Sequence, residues 1–327
     1  MITTIIIIII ALIMLFILSC ALANKIVSKK VYGRRGDASI SIKYPLPSDY
    51  KNLNVRKDYF VNNKKARLTV YEYCKKNSKP KALILFCHGV GGGHIYSLPL
   101  INYFCENGYM VVAYDQYASG SSEGKRMESM TQGVADVKCA VKYVEEHYKD
   151  LSFYVAGHSW GGFCATQALR YSNRIEKCID IAGLDSEAAM AKGKPFIRAI
   201  AKTFVKLCGA TQYGIHSFYS SLGIMKKTRA KVLYLQGEDD LVVDPKYSGY
   251  MYQKKLKNKD NIKVVMLPKK GHAPMVTYKS QLKQSKVMAQ FGMLGGVLVP
   301  LETYVDFNKN NVPDMDVYKL MLDFFDN

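Results

Sequence analysis

The sequence predicts an α/β protein, with a mostly parallel central sheet and helices on both faces. Three observations carry that expectation. Short apolar, β-branched segments alternate with helical patterns along most of the 327 residues, as in strands joined by crossover helices. Glycine-bearing stretches follow several of these segments, where a parallel sheet places its ligand loops. One tight turn, Gly157-His158-Ser159-Trp160-Gly161, joins a strand-like run directly to a helix-like one.

Taken in chain order, residues 59–61 and 66–73 read as an antiparallel lead-in hairpin joined through Asn62-Asn63. Core strands follow at Ala82–Cys87 and Tyr109–Tyr114. Val134, Val137, Val141 and Val144 form a helical stripe with Lys138 and Lys142 between them. Residues 151–156 are short and aromatic, a buried strand. Beyond Gly161, Phe163, Ala165, Ala168, Leu169 and Tyr171 share helical faces without an intervening proline. Strands at 178–182, 232–235 and 262–266 and a final helix at 315–325 complete the set.

The chemistry gathers at the strand ends. Around Ser159 the turn is so tight that small residues must flank the serine, and its Oγ stands clear of the backbone with a helix N-terminus behind it. The first core strand ends in His88-Gly89-Val90-Gly91-Gly92-Gly93. A glycine-rich loop there lets backbone N–H groups approach a developing oxyanion, and the amides of Val90 and Trp160 are the natural donors. The glycines lack a Gly-Lys-Ser/Thr ending or a Gly-x-Gly-x-x-Gly pattern, which argues against a nucleotide cradle. Glu238, Asp239 and Asp240 follow the strand at 232–235, and each is a candidate to orient an imidazole. His272 follows the last core strand and is the best-placed base of the six histidines. His88 reads as a loop-structuring residue, His158 lies inside the turn, and His147 falls on a charged helix face. His94 and His216 lack a strand-end position. The chain order is then Ser, Asp, His, the order of one particular fold.

Five pieces of the chain together resemble the α/β-hydrolase superfamily. They are His88 to Gly91, Tyr114 to Gly124, Gly157 to Gly162, Gly237 to Asp240, and Gly271-His272. Within that superfamily the likeness is to the monoacylglycerol lipase, lysophospholipase and serine aminopeptidase-like group. Where family members carry Asp-x-x-Gly-x-Gly-x-Ser, this chain has Ala118-Ser119-Gly120 at the first glycine. The resemblance implies a catalytic triad of Ser159, Asp240 and His272, the acid falling three residues after Gly237. It implies an oxyanion hole at Val90 and Trp160, a supporting loop of His88, Gly89, Gly157 and Gly161, and no metal or organic cofactor. The implied activity is that of a serine esterase, lipase-like, cleaving carboxylic esters such as monoacylglycerols or lysophospholipids. Two alternatives stand beside it. One is an aminopeptidase or amidase using the same machinery, with Asp185 and Glu187 as candidate anchors for a free amine. The other is a non-catalytic hydrolase-fold binding module. The family position of a cap is residues 186–230, where 196–208 is apolar on one helical face and basic on another.

The amino terminus is apolar from residue 5 to 22, broken only by Ser19 and Cys20, a length fit to cross a bilayer. It is read as a single-pass transmembrane anchor occupying 1–24, with a basic linker at 25–55 and the hydrolase domain at 56–327. Lys25, Lys29, Lys30, Arg34 and Arg35 follow the apolar run and none precedes it, which places the body on the cytoplasmic side. Ala21-Leu22-Ala23 would instead permit signal cleavage and secretion, and Cys20 a lipoprotein signal. The formal charge is +19, from 46 Lys and Arg against 27 Asp and Glu. Lysine is spread along the whole chain without a recognition motif, so the expected partners are a membrane surface and an acyl substrate, not nucleic acid. The eight cysteines form no Cys-x-x-Cys pair and read as buried free thiols. A second insertion, 275–313, carries the apolar run 291–300, to which no role is assigned; its acidic residues lack calcium-loop spacing.

Overall fold

The computed structural model describes residues 2–31, 42–91, 93–191, 193–282, 305–306 and 311–327. The basic stretch at 32–41, Gly92, and most of the second insertion with its apolar run at 291–300 lie outside the described residues. Helix α1 (Ile2–Val31) opens the chain and runs beyond the expected anchor into the basic stretch. A two-residue strand, β1 (Ile42–Lys43), pairs in parallel with Val305–Asp306.

Among the described residues, one eight-stranded sheet forms the centre, in the order β2-β3-β5-β4-β6-β7-β8-β9. The hairpin β2 (Leu53–Val61) and β3 (Arg67–Lys75) is antiparallel, and β3 runs antiparallel to β5 (Tyr109–Tyr114). From there β4 (Ala82–Cys87), β6 (Phe153–His158), β7 (Ile175–Ile181), β8 (Lys231–Gly237) and β9 (Ile262–Leu267) continue in parallel. The hairpin thus starts inside the expected linker, because Leu53 to Val61 pair in unbroken register with Arg67 to Lys75.

The inner parallel strands are mostly apolar because both of their faces are covered, whereas the edge strand β9 is half-buried. In β4, Leu83, Leu85 and Cys87 point to one layer and Ala82, Ile84 and Phe86 to the other. The first layer is closed by α3 (Gln132–His147), through Val134, Val137, Val141 and Val144, and by Phe163 of α4 (Trp160–Ala168). Tyr252 of α7 (Gly249–Lys255) completes it. The second is closed by α2 (Leu98–Glu106) and by the C-terminal helix, Met315–Asp326, through Val317, Tyr318, Met321 and Phe325. The valine stripe read from the sequence is therefore the buried face of α3. This architecture is the α/β-hydrolase fold.

The cap is shorter than expected. It leaves the body at Asp185 and returns at α6 (Ser221–Met225), whose Ser221 N–H donates to the Asp185 carbonyl at 2.8 Å. The Leu222 N–H donates to the Asp185 carboxylate at 2.9 Å. Ile224 and Met225 then enter the core, so residues 221–230 belong to the body. Helix α5 (Pro195–Tyr213) forms most of the cap.

Candidate active site

Three strand ends converge. Ser159 is the single residue between β6 and α4, and its backbone sits at φ 58°, ψ −121°. A non-glycine residue held there is strained, and the strain persists because the surroundings fix it. The Ser159 N–H donates to the Ile181 carbonyl at 2.8 Å. On either side, no room exists for a side chain: a Cβ on Gly157 would lie 2.1 Å from the Gly161 carbonyl oxygen. One on Gly161 would lie 1.9 Å from that of Cys87. The elbow is thus pressed between its own helix and β4, and only glycine satisfies both contacts.

The Ser159 hydroxyl lies 2.7 Å from Nε2 of His272, and His272 Nδ1 lies 2.9 Å from Oδ2 of Asp240. With Nδ1–H donating to the carboxylate, Nε2 is left as the acceptor for the serine proton. Of the three consecutive acids after β8, Asp240 alone is buried and meets the imidazole; Glu238 and Asp239 are exposed. Burial by itself would raise the Asp240 carboxyl. The hydrogen bond and charge of His272, with the amides of Val243 and Val242, outweigh it and hold the group below its ordinary value. Asp240 is therefore an anion at neutral pH.

Two residues to which the sequence assigned no role in the relay complete this arrangement. Gln236 is buried and donates from Nε2 to Asp240 Oδ2 at 3.2 Å and to the Val243 carbonyl at 2.7 Å. Its Oε1 is held by Ser248 Oγ and the Gly249 N–H. His158 donates from Nε2 to the His272 carbonyl at 2.8 Å, joining the elbow to the base loop. Burial, then the neighbouring His272 ring, pushes its pKa down to about 4, so it is a neutral donor. A histidine inside the turn carried a visible signal; a glutamine at the end of an apolar strand carried none.

The glycine-rich loop is set by His88, which is buried. Its Nδ1 lies 2.6 Å from the Gly89 carbonyl and its Nε2 accepts the Gln116 N–H at 2.9 Å. Those two bonds fix the neutral tautomer with the proton on Nδ1, in keeping with a pKa lowered by burial. The loop passes directly beside the nucleophile: a Cβ on Gly89 would sit 3.4 Å from that of Ser159. Val90 follows, and Trp160 supplies the first N–H of α4, one of the four amides a helix leaves without an internal acceptor. The Trp160 indole donates to the Met130 carbonyl at 2.7 Å, which fixes the start of that helix. The departure at Ala118 has a structural counterpart: its φ is 58°, a left-handed position that favours the family's glycine. His94 instead forms a buried pair with Asp115, Nδ1 to Oδ1 2.8 Å. His147 bonds the Tyr143 carbonyl within α3, and His216 packs at a tilt against Tyr219.

Residues 78–220 match the family model described as serine aminopeptidase, S33, a stretch that contains Ser159 but neither Asp240 nor His272. A proline iminopeptidase of Chitinophaga pinensis is 32% identical over 133 residues, 40% of this chain and 42% of that protein. The Mus musculus monoglyceride lipase is 34% identical over 92 residues, 28% of this chain and 30% of the lipase. The matches thus span less than half the length of these relatives. Among solved structures, an esterase of Pyrococcus furiosus superposes with a TM-score of 0.56 at 16% identity, covering 80% of this chain and 97% of that one. That likeness is one of fold.

Proposed function

Starting from an α/β-hydrolase that resembles the serine aminopeptidase and monoglyceride lipase group, we propose that this chain is a serine hydrolase of carboxylic esters. The observation that carries the reading is the continuous relay from Ser159 Oγ through His272 to Asp240 on a strained elbow. In the proposed cycle Ser159 attacks the acyl carbon while His272 accepts its proton. Asp240 stabilises the imidazolium that forms. The amides of Val90 and Trp160 take the oxyanion, each worth about 3 kcal/mol to the transition state. His272 returns the proton to the leaving alcohol. Water, activated by the same imidazole, then releases the acyl group.

Monoacylglycerols or lysophospholipids are the proposed substrate class, supported by the lipase relative and by the apolar cap. The aminopeptidase reading draws support from the iminopeptidase relatives, and it needs an acid in the cap free to hold an amine. Both candidates there are occupied. Asp185 accepts from Leu222 N–H and the Tyr252 hydroxyl, and Glu187 accepts from the hydroxyls of Ser129 and Thr131. The ester reading is therefore preferred. Its test is hydrolysis of p-nitrophenyl butyrate together with fluorophosphonate labelling. Ser159→Ala is expected to lose label and to drop in turnover by about 10⁶-fold, as removal of a nucleophile does. Equal turnover in wild type and Ser159→Ala sinks the assignment, and a folded wild type that takes no label favours the binding-module alternative.

A further inference from the structure

Helix α5 is amphipathic in the opposite sense from a helix packed on a soluble body. Phe196, Ile197, Ile200, Phe204 and Leu207 fall on one face at helical spacing, and that face points outward. Phe196 is 75% exposed, Ile200 54% and Phe204 46%. The basic face turns inward. Arg198 donates to the carbonyls of Ala191 and Ala189 and lies over the Tyr247 ring, while Lys202 and Lys206 face the Asp185 carboxyl. An apolar face of this size left in water is unfavourable by about 25 cal/mol for each Å² exposed.

Helix α1 shows what covers it. From Ile2 to Ser19 the residues of α1 are exposed, so an apolar cylinder stands free of the body. The body is met at Cys20, which is buried and whose thiol lies beside the Cys208 thiol of α5. The apolar helix therefore reaches the protein at the cap. We propose that α1 and the outward face of α5 form one lipid-contacting surface. In it α1 crosses the bilayer, and α5 lies along the headgroup boundary beside the point where α1 leaves it. The occupant is a lipid bilayer, because α1 has the length and composition to cross one and α5 continues the same apolar surface at its end. The proposal goes beyond the hydrolase reading and does not depend on it.

The test uses the full chain reconstituted in vesicles of phosphatidylcholine and phosphatidylglycerol with brominated acyl chains, which quench nearby tryptophan. Trp160 is the single native tryptophan and is buried in the body, so an added indole reports its own position. Ile200→Trp is expected to lose roughly half of its added emission, as a side chain seated about 5–10 Å into the boundary requires. Lys142→Trp, on the exposed side of α3, is expected to lose none. Equal quenching at the two positions overturns the proposal, as does a stable dimer that shields the indole added on α5 without quenching. The wild-type chain supplies a second measurement. Copper phenanthroline, as oxidant, takes one electron from each thiol and the two protons pass to solvent as the S–S bond forms. A tryptic pair linked through Cys20 and Cys208 is expected. Recovery of both peptides unlinked overturns the apposition of α1 and α5.

Discussion

At the residue scale, the candidate site turns on which of three neighbouring acids the fold selects. Glu238, Asp239 and Asp240 are indistinguishable by composition, and the chain alone left them open until the family spacing was applied. The structure separates them by burial: Asp240 is fixed by the Val242 and Val243 amides at 2.8 and 3.0 Å and by Gln236, while Asp239 faces water. Asp240→Asn is therefore expected to lower kcat by about 10⁴-fold, by favouring the wrong imidazole tautomer. Asp239→Asn is expected to change it less than about two-fold, as surface substitutions do. Steady-state hydrolysis of a soluble ester by the two variants checks the ranking, and the reverse order would move the acid one position. Ser159, His272 and the glycines were legible because they belong to patterned turns. Gln236 was not, since its partners are a carboxylate, two hydroxyls and two backbone groups that only the folded loop after β8 brings round to it.

At the element scale, the sheet reads clearly from sequence because the inner parallel strands bury both faces and are largely apolar. A fully buried acid lies within β7. Asp180 stands in that apolar strand between Ile179 and Ile181, fully buried. Its Oδ1 accepts the Gly183 N–H at 2.9 Å, and its Oδ2 has no partner among the described residues. Burial, with Asp185 nearby, pushes its carboxyl well above the ordinary range, so the folded chain holds it neutral. The unfolded carboxyl ionises near pH 3.9. The stabilising contribution of this proton is thus complete below that pH. It is lost as pH rises toward the folded value, at up to about 1.4 kcal/mol per pH unit. Asp180→Asn has no proton to lose. Its melting temperature relative to wild type is expected to be higher at pH 8 than at pH 4, as thermal unfolding at the two pH values will read. A difference independent of pH would mean that Asp180 is ionised in the fold. Sequence periodicity does not show such a residue, because a neutral acid behaves like an apolar one.

At the scale of the whole molecule, the amino-terminal helix is the one candidate membrane span among the described residues. Its apolar run and the lysines after it support a retained single-pass anchor with the body on the cytoplasmic face. Sequencing the mature N-terminus is expected to return Met1 or Ile2 in the membrane fraction. A start at Asn24 would mean secretion, and a start at a lipidated Cys20 a lipoprotein. Protease added to intact cells is expected to leave the body uncut. The eight cysteines carry free thiols, six of them buried. The extent of the cap and the direction of its apolar face were not legible from the chain. Helical spacing gives two faces but does not say which one meets the body.

The neck at Asp185, Ser221 and Leu222 has a consequence for how such a chain changes over evolutionary time. The segment between those residues departs and returns at positions already joined by hydrogen bonds, so it behaves as a cassette clipped to a finished scaffold. A replacement of different length need not alter the strands, the elbow or the base loop. Each doubling of the inserted length costs only about 0.6 kcal/mol in loop-closure entropy. The lipid contact proposed for α5 lies in that exchangeable piece. It can change while Ser159, His272 and Asp240 stay where they are.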